Sequence, residues 1–252
     1  MVSPVPFFHS LRYLRSNARR LEHLASLGLA LDSRSVLEIG AGIGDLTSFF
    51  LDRGCTVTSI EPREENVAYF RARYAEDPLW PPDRLRVVQT DVEHLRENGV
   101  GAHDVVFCYG AFNEIHDPGA AVRTFAEHCR SLLVLEVSVN SGHGLNESAV
   151  SYHPRDSADL RGSITGQACF PTRRWTFDRL QEHFEHVYIT LTQPAHDRFL
   201  LRWNGAVPER PRHRVIFVAS RSPLANPRLT ESIPDIQYLY LPEADELLAR
   251  GG

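Results

Sequence analysis

The stretch Val36-Leu37-Glu38-Ile39-Gly40-Ala41-Gly42-Ile43-Gly44-Asp45 decides the fold. An apolar run long enough for one strand gives way to glycines at alternate positions, and a helical pattern begins at Asp45. Glycine there lets the backbone turn tightly and approach a ligand closely. Outward from this loop, short apolar runs alternate with helical patterns. Ser35–Ile39, Thr56–Ile60, Leu85–Val88, Val105–Cys108 and Leu132–Val137 read as strands. Asp45–Asp52, a segment with Val67, Phe70 and Tyr74 on one face, and Ala120–His128 read as helices between them. Continuous apolar strands joined by helical crossovers predict a parallel sheet covered on both faces.

The flanks extend this plan. Leu11, Leu14, Ala18, Leu21 and Ala25 recur at spacings of three and four, which predicts an amphipathic helix over 11–27 lying on something larger. Residues 140–172 are rich in Ser, Gly, His and Asn without a clear period, and read as a lid or binding loop. Helix returns at Thr176–His183 with Phe177, Leu180 and Phe184 inward, followed by strands Val187–Thr192 and Val215–Ala219. Between those strands lies an aromatic, Pro-rich second loop and no helix, so the last strand is expected to run antiparallel. The expected fold is α/β: a doubly wound, Rossmann-like sheet of about seven strands, mostly parallel. One domain spans 1–252, with a helical cap over 1–34, a core over 35–139, a lid-like insertion over 140–172 and a C-terminal part over 173–252.

Composition narrows the function. The chain has 252 residues, 42% hydrophobic and 23% charged, enough for a sizeable core. Its 27 basic against 32 acidic residues give a formal charge of −5, which argues against a nucleic-acid binder. All the basic residues are Arg, which excludes a P-loop lysine and Schiff-base chemistry on lysine. No apolar run is long enough for a membrane span, and the N-terminus lacks the pattern of a secretory signal, so the cytoplasm is the expected compartment. Cys55, Cys108, Cys129 and Cys169 lie far apart and read as small buried hydrophobes.

Details of the glycine loop choose among ligands. A dinucleotide fingerprint needs G-x-G-x-x-G, but Asp45 stands at its third glycine position and Gly44 falls one residue early. A carboxylate at that helix start would repel a pyrophosphate. A phosphate-free ligand with a sulfonium and an amino group is not repelled, and S-adenosylmethionine fits that description. Glu61 closes the second strand, 17 residues beyond Gly44, where a carboxylate can accept from both ribose hydroxyls. Asp91 ends the next strand, placed to accept from an adenine amino group. Three acids at successive strand ends converge on the crevice where open α/β sheets bind ligands.

From about Leu21 to Val139 the chain resembles the class I S-adenosylmethionine-dependent methyltransferases, through VLEIGAGIG, SIEP, QTDVEHL and DVVFCYGAFNEIHDP. The resemblance implies that Gly40, Ala41, Gly42 and Gly44 border the methionine part of the cofactor. It likewise implies that Glu61 with Pro62 binds ribose and Asp91 with Val92 binds adenine. Glu38 and the run Cys108-Tyr109-Gly110 would complete the cofactor wall. The C-terminal segments PTRRWTFDRLQEHFEHVYITLTQPAHDRF and HRVIFVASRSPLANPRL resemble FkbM-type bacterial enzymes that methylate macrolide oxygens. One departure is local. Relatives carry a Tyr-His pair after the fourth strand, whereas this chain has Asn113-Glu114, so Glu114 or His116 would have to serve as base.

Transfer from a sulfonium needs alignment, and a base where the acceptor is a hydroxyl. Base candidates are His116, His143 and His153, in that order, because only His116 is tied to the fourth strand's end, with Glu114 in reserve. Asp117, Glu136 and Asn140 could be assembled into a metal site on paper, but the arrangement of catechol-type enzymes is missing and no metal is expected. An Arg in Thr172-Arg173-Arg174-Trp175 could clamp an acidic substrate, though a solvated helix start is the simpler role. The expected reaction is O-methylation of a small specialised-metabolite acceptor. N- or C-methylation, a non-methylating activity such as cyclisation, and a non-catalytic partner of another enzyme are the alternatives.

Overall fold

The computed structural model describes residues 3–75, 79, 82–141, 147–205 and 212–242. In chain order its elements are α1 (Val5–Phe8), α2 (Leu11–Ser26), β1 (Ser35–Ile39), α3 (Thr47–Leu51), β2 (Thr56–Glu61) and α4 (Glu64–Ala75). Then come β3 (Leu85–Gln89), β4 (His103–Tyr109), α5 (Pro118–His128), β5 (Cys129–Asn140), β6 (Val150–Pro154) and β7 (Gln167–Pro171). The last are α6 (Arg173–Gln181), β8 (His186–Thr190), β9 (Thr192–Gln193), β10 (Arg212–Ser220), β11 (Leu229–Thr230) and β12 (Tyr238–Leu239).

The main sheet runs β11-β8-β10-β5-β4-β1-β2-β3. Strands β1 to β5 pair in parallel, while β10 lies antiparallel between β5 and β8. The expected architecture stands, with eight strands rather than seven. The addition is β11, two residues paired on the outer edge of β8 and too short to show a period in sequence. Along β1, Val36 packs on one face of the sheet and Leu37 on the other. Phe112, Phe125, Phe177 and Leu180 fill one layer; Leu24, Phe50, Phe107 and Ile216 fill the other. Strands buried on both sides are what a helix-covered parallel sheet requires.

Two expectations are corrected. The segment 140–172 is not irregular throughout: β6 and β7 form an antiparallel hairpin pairing Val150 with Pro171 and Pro154 with Gln167. Helix α2 begins near its expected start, where Ser10 accepts from the Tyr13 N–H at 3.3 Å, but it turns the other face inward. Leu11 is 88% exposed and Leu14 is 42% exposed, while Asn17, Arg20, His23 and Leu24 are buried. The inward face is polar because it lies over charged and carbonyl groups of the sheet. His23 Nε2 meets the Thr192 carbonyl at 3.0 Å, and Arg20 reaches β5.

The order of β4 and β1 puts the switch point of the sheet between them, and ligand crevices open outside the strand ends there. Two segments roof it. Phe8 and Leu160, from α1 and the hairpin turn, pack together on Ile43 of the glycine loop. Among the described residues no helix is long and apolar enough to cross a membrane.

Candidate active site

A crevice of about 310 Å³ lies at this switch point. Its floor is the glycine loop. Gly40 and Gly42 have φ of +65° and +58°, the left-handed region, and both are closely covered. A Cβ on Gly40 would overlap the Ala111 side chain beyond β4, and one on Gly42 would lie 2.7 Å from the Phe8 ring. Only glycine lets the loop pass under α1 and beside the β4 end.

Glu61 ends β2 inside the crevice and is buried. Its Oε2 accepts from the Gly42 N–H at 2.9 Å, and its Oε1 from the Arg63 N–H at 3.1 Å and Asn66 Nδ2 at 3.0 Å. Burial pushes its carboxyl upward, and these donors oppose that. Each carboxylate oxygen has two lone-pair directions, so the group can still accept from a ligand. Asp91 lines the same end and caps a short helical turn, accepting from the N–H groups of Glu93 at 3.0 Å and His94 at 3.1 Å. Pro62, Val92 and Glu93 line the wall between them.

Other expected cofactor residues are placed differently. Tyr109 and Gly110 line the crevice, but Cys108 is buried in the core and burial pushes its thiol up to about 12. Ala41 and Glu38 border a small side cavity behind the loop. Glu38 Oε2 accepts from the Thr47 and Ser59 hydroxyls, both at 2.6 Å, and burial raises its carboxyl to about 7. Gly44 lies under the Phe70 ring of α4, where an added Cβ would be 2.6 Å from it. Asp45 accepts from Arg73 at 2.6 Å and contacts His9 at 3.1 Å.

The base candidates separate. His116 stands at the crevice rim, exposed, beside Asp117, which caps α5 by accepting from the Ala120 N–H at 2.9 Å. His153 is outside the crevice lining, its ring against Phe170 at 5.5 Å. His143 lies outside the described residues. Glu114 lines the crevice with both oxygens engaged, by Arg155 at 3.0 Å and by the Ser163 N–H at 3.0 Å. Asn113 is buried: it accepts from the Ser138 N–H and donates to the Ser138 and Cys169 carbonyls, each at 2.7 Å. The Asn113-Glu114 pair therefore ties the β4 end to β5 and to the hairpin.

The hairpin turn is fastened from the other side by α4. Arg63 donates to the carbonyls of Ser157 and Gly162 at 3.0 Å, and Asn66 to that of Leu160 at 2.9 Å. Glu136, considered above as a metal ligand, instead accepts from Arg20 Nε at 2.6 Å and from Arg214. Among the described residues no group of three His, Cys, Asp or Glu could hold a metal ion.

Sequence reading passes over Phe8, Tyr13, Arg20, Arg63, Arg198 and Arg214, all of which line or frame the crevice. One signal was available. Glu136 and Arg214 interrupt otherwise apolar strands, and a buried charge demands a partner. Arg20 and Arg198 carry no such signal, since they belong to polar stretches.

The crevice fits S-adenosylmethionine. Glu61 and Asp91 offer carboxylate acceptors at adjacent strand ends in the crevice, and its glycines leave a cradle that side chains would fill. Residues 36–133 match the family described as "Methyltransferase domain". The chain is 29% identical over 110 residues to a ubiquinone biosynthesis O-methyltransferase of Bordetella avium, covering 44% of each chain. It is 30% identical over 113 residues to the enzyme of that name from Cronobacter sakazakii, covering 45% of each. The matched stretch thus spans less than half the length of these relatives. The fold is shared with the N-terminal domain of EvdMO1 with SAH bound, at TM-score 0.61 and 18% identity over 81% of this chain and 80% of that one. It is shared too with the glycopeptide N-methyltransferase MtfA complexed with S-adenosylmethionine, at TM-score 0.53 and 20% identity over 79% and 85%. With that loop, that strand order and that domain match, residues 36–133 carry the methyltransferase-domain pattern, and the chain is similar to the class I S-adenosylmethionine-dependent methyltransferases.

Proposed function

We propose that the protein transfers the methyl group of S-adenosylmethionine to a hydroxyl oxygen of a small molecule of specialised metabolism. One observation carries the small-molecule reading. The crevice is roofed by α1 and the hairpin turn, joined over the glycine loop through Phe8 and Leu160. A roofed crevice suits a compact acceptor, which once bound would keep water from the reacting atoms. Oxygen as the acceptor atom is supported by the O-methyltransferase names of the sequence relatives and by the C-terminal resemblance to FkbM-type enzymes.

When bound, the cofactor supplies a methyl carbon already activated by its sulfonium. The chain has to bind, align and take up a proton. Glu61 holds ribose hydroxyls, Asp91 and the Val92 backbone hold the adenine edge, and the Gly40–Gly44 loop faces the methionine part. His116, at the rim beside the β4 end, accepts the hydroxyl proton. Incubation with methyl-labelled cofactor and a panel of small hydroxyl compounds tests the reading. Label passes to an acceptor oxygen, and His116→Ala lowers kcat by about 100-fold while S-adenosylhomocysteine affinity holds, the scale of a lost general base. Label that stays on the donor with every acceptor rejects methyl transfer. Unchanged turnover in His116→Ala removes the histidine base.

A further inference from the structure

The charges lining the crevice are sorted along its length. Glu61, Asp91 and Glu93 gather at the nucleoside end. Elsewhere in the lining the charges cancel in pairs: Arg155 with Glu114 at 3.0 Å, and Arg161 with Asp159 at 2.9 Å. Beside β5 and β10, on the other side of β1 from β2 and β3, are Arg20, Arg198 and Arg214. Beneath them stands a single carboxylate, Glu136, which accepts from Arg20 Nε and Arg214. Arg198 makes no side-chain hydrogen bond or ion pair among the described residues. Three guanidiniums around a single carboxylate, two of them bonded to it, leave two positive charges unmatched in a partly dry place. Burial and the neighbouring arginines lower Arg198 to about 10.

The spare donor of Arg20 borders the crevice. Arg20 is only 2% exposed; its Nε is spent on Glu136 and its Nη1 on Asn17 at 2.7 Å, while Nη2 is buried without a partner. That atom would lie 3.2 Å from a Cβ placed on Gly110, and Arg214 Nη1 3.4 Å from it. Gly110 lines the crevice and carries no side chain, so both guanidiniums border the open space beside the β4 end. A buried guanidinium N–H without an acceptor is costly, and its natural complement is a planar or tetrahedral oxyanion.

The methyl donor cannot remove the surplus. It carries a sulfonium, an ammonium and one carboxylate, so it brings one net positive charge into the crevice. Even with its carboxylate on one arginine, the bound complex is more positive than before. We propose that Arg20, Arg198 and Arg214 form a subsite for an anionic group of the methyl acceptor, a carboxylate or a phosphate monoester. This assignment rests on the reading of the crevice as a methyltransferase site.

The test uses the full chain saturated with S-adenosylhomocysteine and three probes: benzoate, neutral benzamide and inorganic phosphate. Ligand-observed NMR should show benzoate binding at least ten times more tightly than benzamide, and phosphate should compete with it. Arg198→Gln should weaken benzoate at least tenfold while leaving S-adenosylhomocysteine affinity within twofold; Arg198→Lys should recover part of the loss. Arg198 is the residue of choice because Glu136 does not depend on it for a hydrogen bond. The proposal is overturned if benzoate and benzamide bind alike, or if Arg198→Gln leaves benzoate binding unchanged. It is overturned as well if anions bind only the free protein and S-adenosylhomocysteine displaces them, since the arginines then serve the donor's own carboxylate. Should S-adenosylhomocysteine not bind, the methyltransferase reading and the acceptor assignment both fail, and phosphate titration of free wild-type and Arg198→Gln protein decides whether an anion site exists.

Discussion

Two buried glutamates at neighbouring strand positions carry opposite consequences. Glu61 is held by three N–H donors of its own chain and keeps lone pairs for a ligand. Losing it frees the Gly42 N–H and takes away the proposed ribose acceptor. Glu61→Ala is expected to weaken S-adenosylhomocysteine by about 1–3 kcal/mol, the range for charge-assisted hydrogen bonds. Calorimetry checks this, and unchanged affinity sinks the role. Glu38 borders the side cavity behind the loop rather than the crevice itself. Burial raises its carboxyl from 4.5 to about 7, with Asp45 adding to the rise and the Ser59 and Thr47 hydroxyls resisting it. Between those values the folded state holds a proton that the unfolded state has released, so stability falls as pH rises from 4.5 to 7. Glu38→Gln keeps an oxygen for both hydroxyls and removes the titration. The variant should gain on the wild type as pH rises and exceed it by about 1–3 kcal/mol at pH 8. Denaturant midpoints at pH 5 and pH 8 measure it; identical pH slopes contradict it. The acids at strand ends were legible because each closes an apolar run. Arg20 was not, since an arginine in a polar helix gives no sign of which carboxylate it reaches.

At the scale of elements, legibility depended on which face is apolar. Helix α6 buries Phe177 and Leu180, as its spacing predicts. Helix α2 has an equally clear apolar stripe and buries the opposite face, because Glu136 and the Thr192 carbonyl draw Arg20 and His23 inward. Periodicity locates such a helix and misjudges its rotation. The hairpin was hidden for a different reason. Its strands are five residues each, both end on proline, and pair register alone makes them a sheet. What fixes its turn over the crevice is long-range: Arg63 on two carbonyls at 3.0 Å and Asn66 on a third at 2.9 Å. Removing the Arg63 side chain should release the turn while leaving β6 and β7 paired. In Arg63→Ala, amide exchange over 157–163 is expected to accelerate by about tenfold or more, the equivalent of one lost charged hydrogen bond. In the wild type, S-adenosylhomocysteine should slow exchange in the same residues. Mass-spectrometric exchange reads both, and equal rates in variant and wild type would mean that Arg63 does not hold the turn.

Across the whole molecule the sheet was legible since its central strands β4 and β5 carry long apolar runs and β1 is broken only by Glu38, a pattern that requires cover on both faces. The crevice is where the parts depend on one another. Phe8 comes from the N-terminal helices, Glu61 and Asp91 from the sheet's strand ends, and Leu160 from the hairpin. A ligand that touches all of them binds only when all are in place, so its binding free energy is added to the stability of the assembled unit. At a hundred times its dissociation constant, S-adenosylhomocysteine should contribute about 2.7 kcal/mol. For a chain of this size that corresponds to a rise in Tm of about 5–10 °C in a single transition. NAD at the same concentration should give no rise, because Asp45 replaces the third glycine of the dinucleotide fingerprint. Differential scanning calorimetry with each ligand decides. A single transition that moves with S-adenosylhomocysteine alone is the expected result. Two transitions, only one of them shifted, would mean that the roof and the sheet unfold separately and that the crevice does not couple them. A shift with NAD would contradict the choice of cofactor itself.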